Sequence, residues 1–138
     1  MVIFSIHPFV DVQKELGKFA VGEDEVWITK HSVFEEVDNP CTKVVVARDA
    51  GKMIGYALIT NKSMCYAKSD CLYHVCVGKE YRRKGVCRSL MENAQKECDS
   101  LWGVCDEGVK YVWERLGAKI ERRKEGSFCS EYEIFFEK

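Results

Sequence analysis

The chain has 138 residues, of which 46 % are apolar and 31 % charged, with a formal net charge of −1. Those proportions fit one globular domain, residues 1–138, with enough chain for one hydrophobic core. They argue against a surface that seeks nucleic acid as a whole, and no apolar run approaches the roughly 18 residues of a membrane-spanning helix. Residues 1–10 lack a basic leader and a small-residue cleavage site, so no signal peptide is read and a reducing cytoplasm is the expected compartment. The eight cysteines include no C-x-x-C pair, so the local spacing of a zinc site is absent and no metal is expected. Most sit inside apolar runs, as Cys76 does between Val75 and Val77, and read as small buried hydrophobes.

Val2 to Ile6 reads as a strand. Asp11 reads as the N-cap of a helix whose face carries Val12, Leu16 and Phe19, and the acidic stretch Gly22-Glu23-Asp24-Glu25 as the turn after it. Ser32 caps an expected short helix with Val33, Phe34 and Val37, ended by Asn39-Pro40. Lys43–Arg48 and Met53–Thr60 form a hairpin around Asp49-Ala50-Gly51-Lys52. A polar loop, Asn61–Asp70, leads to the continuous apolar run Cys71–Val77, the pattern of a strand buried on both faces.

After Gly85 the apolar period changes. Cys87, Leu90, Met91, Ala94 and Cys98 mark one helical stripe, and Val109, Val112, Trp113 and Leu116 mark another, closed by Gly117. Leu101–Cys105, Ala118–Arg123 and Phe128–Phe136 read as strands, the last placing Phe128, Tyr132, Ile134 and Phe136 on one face. The order β-α-α-β-β-β-α-β-α-β-β implies a mixed sheet with helices on its faces.

The chemistry concentrates between Val75 and Leu90. A buried strand runs into a basic loop holding Gly85, and then into a helix. A helix's first turn has unpaired N–H groups at its positive dipole end, which makes an anion site. Lys79, Arg82, Arg83, Lys84 and Arg88 add positive charge, and Gly85 lets a diphosphate approach the backbone. The same segment also reads as a plain surface turn, and neither G-x-x-x-x-G-K-[ST] nor G-x-G-x-x-G is present.

Arg82-x-x-Gly85-x-Cys87 resembles the acetyl-CoA signature [R/Q]-x-x-G-x-[G/A] of the GNAT superfamily of N-acetyltransferases. Gly55-Tyr56-Ala57-Leu58-Ile59 is similar to the family's third strand, and Trp113-Glu114-Arg115-Leu116-Gly117-Ala118 to its Y-E-K-L-G-F. The resemblance implies an α/β (α+β) fold with a mixed, mostly antiparallel sheet of six or seven strands flanked by about four helices. It implies direct transfer of an acetyl group from acetyl-CoA to an amine. The backbone of Val75, Cys76 and Val77 would hold the pantetheine arm. Arg82, Arg83, Lys84, Gly85, Val86, Cys87 and Arg88 would hold the diphosphate, with Asp106 and Trp113 near the cofactor. Cys87 replaces the usual glycine or alanine, and Asp106 an asparagine. Trp113 replaces the tyrosine that protonates the departing thiolate in many relatives, which indole cannot do. Tyr111 lies about 200° around the helix from that position, so it is not read as a substitute.

His74 and Tyr73 are the candidate base and polarising group, pointing to opposite faces if alternation holds. Each also reads as a packing residue, and His7 and His31 do so more plainly. Glu23, Asp24, Glu25, Glu35, Glu36, Asp38, Glu131 and Glu133 would make an acidic wall for a cationic acceptor such as a polyamine or lysine side chain, or else a solvated surface. Ala118 after Gly117 resembles polyamine acetyltransferases. The partner expected is thus a small-molecule or peptide amine, with no nucleic acid and no membrane; a homodimer is left open. A catalytically silent acyl-CoA-binding module and a small RNA-binding domain are the rival readings, the second disfavoured by charge.

Overall fold

The computed structural model describes residues 1–25, 29, 41–60, 70–98, 100–105, 107–122 and 132–137. They form β1 (Val2–Pro8), α1 (Phe9–Gly22), β2 (Lys43–Asp49), β3 (Lys52–Thr60), β4 (Asp70–Val77), α2 (Val86–Glu97), β5 (Ser100–Cys105), α3 (Lys110–Arg115), β6 (Lys119–Arg122) and β7 (Tyr132–Glu137). Single 3₁₀ turns at Lys79–Tyr81 and Glu107–Val109 precede α2 and α3. The expected helix at residues 33–37 and most of the polar loop before β4 lie outside the described residues.

The seven strands make one sheet in the order β1-β2-β3-β4-β5-β7-β6. Every neighbouring pair is antiparallel except β4 and β5. This matches the expected class, with three α-helices among the described residues. Each sheet face has its own core. Phe9, Val12, Leu16 and Ala20 of α1 pack on Val44, Val46, Met53, Tyr56, Leu58 and Cys76. Val86, Leu90, Met91 and Ala94 of α2 pack on Val45, Ala47, Ile54, Ala57 and Ile59, joined by Tyr132, Ile134 and Phe136 of β7. The valine run of β2 is buried throughout because it alternates between these two cores.

Two helices differ from the sequence expectation. α1 starts at Phe9 rather than after Asp11, with Pro8 at its N-cap and no side-chain cap. Burying Phe9 completely outweighs the capping bond, and Asp11 remains in the first turn, where the helix dipole favours it. Only half of the expected α3 stripe is covered. Trp113 and Leu116 pack on the core, whereas Val109 and Val112 are exposed, since this six-residue helix meets the sheet mainly at its short outer strand β6.

The end of α1 has a geometry that the sequence reading saw only as a turn. Asp24 N–H donates to Val21 O, Glu25 N–H donates to Ala20 O at 2.8 Å, and Asp24 has φ 64°. This is a Schellman cap with aspartate at the left-handed position usually taken by glycine. Lys79 Nζ holds the Asp24 carboxylate at 2.7 Å. The cap thereby fixes Glu25 beside β4.

Candidate functional site

β4 pairs with β3 from Cys71 to Val77, but its register slips between Leu58↔His74 and Ile59↔Leu72. Tyr73 is therefore the extra residue of a β-bulge. The Tyr73 side chain lies outside the described ones, so the expected opposite orientation of Tyr73 and His74 stays an expectation. On its other flank β4 pairs with β5 only through Asp70↔Leu101 and Cys71↔Trp102. Beyond the bulge the two strands part, and the sheet opens from residue 74 to the end of β4.

Gly78 N–H donates to Ile54 O at 2.7 Å. Antiparallel ladders alternate, so the main-chain groups of Cys76 and His74 face β3, while those of Val75 and Val77 face the opening toward β5. Val77 O already accepts Arg82 Nε at 3.1 Å on that side. The side chains of Val75 and Val77 pack on the α2 core, and Cys76 is buried on the α1 face. A Cβ at Gly78 would lie 3.1 Å from Glu23 Oε1 and 3.2 Å from Ile54 O, tight contacts that favour glycine.

The loop 82–85 is exposed. Arg83 has φ 63° and Gly85 has φ 80°, so the backbone turns sharply before α2 begins. Gly85 is the N-cap of the twelve-residue α2, and a Cβ placed on it would meet nothing within 4 Å. Bare backbone at a helix start thus faces open space. Val86 is buried in the core, and Cys87 is partly buried, with burial raising its thiol pKa. Lys84 Nζ lies 5.6 Å over the Tyr81 ring, whose hydroxyl donates to Asp49 at 2.9 Å. Arg88 donates to Arg115 O at 3.1 Å, tying the first turn of α2 to the end of α3.

His74 is mostly buried on the α1 face, its ring 5.6 Å from that of Tyr56 and its Nε2 4.0 Å from Glu25 Oε2. Burial lowers its pKa below the ordinary 6.5, against a smaller opposing pull from Glu25. The imidazole is therefore neutral at neutral pH. Trp113 packs edge-on to Phe136 at 6.1 Å, and Tyr111 is 60 % exposed. Asp106 lies outside the described residues, as do His31, Glu35, Glu36, Asp38 and Glu131. His7 bonds Ser5 within β1. Of the acidic wall, Asp24 and Glu23 are engaged by the Lys79 ammonium and N–H, and Glu133 accepts Trp102 Nε1 at 3.4 Å.

The family model described as an acetyltransferase (GNAT) domain matches residues 13–104, well over half of the chain. The chain belongs to the GNAT acetyltransferase family. Solved structures share its fold at low identity. Escherichia coli ElaA is similar with TM-score 0.75 at 11 % identity, over 99 % of this chain and 100 % of that one. The ribosomal-protein-S18-alanine N-acetyltransferase of Escherichia coli is similar with TM-score 0.68 at 18 % identity, over 98 % and 91 %. A GNAT-family acetyltransferase from Staphylococcus aureus Mu50 gives TM-score 0.67 at 11 % identity, over 96 % and 98 %. No curated protein matches the sequence. Family membership carries acyl transfer, with an acyl-CoA as co-substrate. The residues present fit such a group: a left-handed Gly85 with open space before it, basic neighbours, and a sheet that opens alongside.

Two residues near His74 escaped the sequence reading as site residues. Glu25 appeared only as one charge of an acidic stretch, and Tyr56 only as part of a strand motif. Neither has a local signal, because each reaches β4 through tertiary packing. The parity of β3 was the one available hint for Tyr56.

Proposed function

We propose that this GNAT protein moves the acetyl group of acetyl-CoA to an amine of a cationic acceptor, residues 1–138 acting as one domain. The observation that carries the reading is the parting of β4 from β5 beside the Gly85 loop. Main-chain groups of Val75 and Val77 orient the pantetheine arm, as a missing strand would be paired. Residues 82–88 hold the diphosphate through N–H groups and positive charge. Neutral His74 takes the acceptor's proton, directly or through water, and Tyr73 at the bulge polarises or holds that water. Glu25 draws a cationic amine toward His74. Acetyl-CoA supplies the acyl group and leaves as the thiol.

The packing of Trp113 against Phe136 favours a second reading, a silent acyl-CoA-binding module, because no acid for the thiolate stands at that position. Release of free CoA thiol on adding a panel of polyamines, lysine peptides and aminoglycosides separates the two. Amine-dependent release is the expected outcome; acetyl-CoA binding with no release from any amine would establish the silent module.

A further inference from the structure

We propose that Glu25, His74 and Cys76 form a binding site for a thiophilic divalent cation, with zinc the ion that best suits the donors. One carboxylate oxygen, one imidazole nitrogen and the Cys76 sulfur all lie within 4.8 Å of one another. His74 and Cys76 stand two apart on β4 beyond the bulge and share the α1 face of the sheet. The Schellman cap of α1 delivers Glu25 to them. The expectation of no metal rested on local C-x-x-C spacing, which cannot see a ligand brought from another element.

Zinc bonds of about 2.0–2.3 Å place tetrahedral donors roughly 3.5 Å apart. The His74 Nε2–Glu25 Oε2 side of the triangle is 4.0 Å, and rotation of Glu25, whose side chain is 32 % exposed and marks the entry side, would shorten it. Sulfur and imidazole exclude calcium and magnesium as preferred occupants.

The same trio could be taken for a nucleophile relay. In a relay the carboxylate and the thiol engage opposite nitrogens of the imidazole. Here one imidazole nitrogen lies within 4.8 Å of both the carboxylate oxygen and the sulfur, the arrangement of three donors around a shared space. A cation would supply the charge that a thiolate needs there.

A second observation points to the same place. The Tyr56 hydroxyl is buried with no hydrogen-bond partner among the described residues, on a ring 5.6 Å from the imidazole. Three protein ligands leave a fourth position for water, which would give that hydroxyl a partner. The site does not need the acyl-transfer reading but shares His74 and Glu25 with it: a bound cation takes the imidazole lone pair and the carboxylate, so the base role belongs to the metal-free protein and the ligand role to the loaded one.

Titrating Co²⁺ into the reduced, chelator-treated full chain tests it. The expected result is one equivalent bound with a thiolate-to-cobalt charge-transfer band, displaced by Zn²⁺. Cys76→Ser should abolish the band, while substitution of the exposed Cys41 by serine should leave it intact. Glu25→Gln, on a part-exposed side chain that folding tolerates, should weaken binding by at least the roughly tenfold that even outer-sphere changes bring. Absence of the band in the unaltered protein, its survival in folded Cys76→Ser, or unchanged affinity in Glu25→Gln would each overturn the site.

Discussion

His74 unites two kinds of pH dependence in one side chain. Its folded pKa lies below the ordinary 6.5, with burial the larger cause. Between the two values the unfolded chain binds more protons than the native one, so stability rises with pH through that window. On acidification from pH 6.5 the protein loses stability until the folded pKa is passed. Urea midpoints measured against pH in chelator should show this slope, and His74→Gln should flatten it. The same substitution should lower kcat about 100-fold and remove the acid limb of the rate profile, as loss of a general base does. An unaltered profile would make His74 a packing residue. Tyr56 belongs to the same environment: burial first, and then the nearby Cys76 and Glu25, raise its pKa, so its hydroxyl stays protonated and available as a donor.

At the scale of elements, the junction between β4 and α2 sets the geometry of the loop. A strand pinned by the Gly78–Ile54 bond must reverse into a helix within eight residues, and it does so through left-handed Arg83 and Gly85. Gly85→Val should fold, because its Cβ meets nothing; the left-handed φ costs about 1–2 kcal/mol. Acetyl-CoA affinity should fall at least tenfold, about 1.4 kcal/mol, since the side chain fills the open approach. Calorimetry checks both numbers, and full affinity in this variant would move the diphosphate elsewhere. α2 itself is held by Leu90, Met91 and Ala94, all buried against β3 and β2, which keeps its first turn rigid beneath the loop. The bidentate contact of Arg48 with Glu15, which lowers the Glu15 pKa, ties β2 to α1 on the other face. With Glu15 42 % exposed, that pair contributes about 0.2–1 kcal/mol, and less at high salt.

Across the whole molecule, one sheet carries two cores, and the opening between β4 and β5 is where the sheet gives up its own hydrogen bonds. A ligand that bridges that opening binds only the native state, so its binding energy adds to stability. At 100 times its dissociation constant, acetyl-CoA should contribute about 2.7 kcal/mol, a rise in melting temperature of roughly 8 °C for a domain of this size. A melting curve indifferent to acetyl-CoA would contradict the cofactor assignment. RNA should produce no competing shift.

Much of this protein was legible from its residues in order. Hydrophobic period separated the strands from the helices, since alternation and a 3.6-residue stripe are local properties of the chain. The glycine loop before α2 was visible because its chemistry occupies consecutive positions. Only folding decided the rest. The bulge at Tyr73 depends on how β4 registers against β3, and so does the direction in which Val75 and Val77 present their main chains. The start of α1 was set by the burial of Phe9, not by a capping residue. Glu25 meets His74 and Cys76 across about fifty residues because a Schellman cap and the Lys79–Asp24 contact bring two elements together. Such meetings depend on distances in space, which the order of residues along the chain does not record.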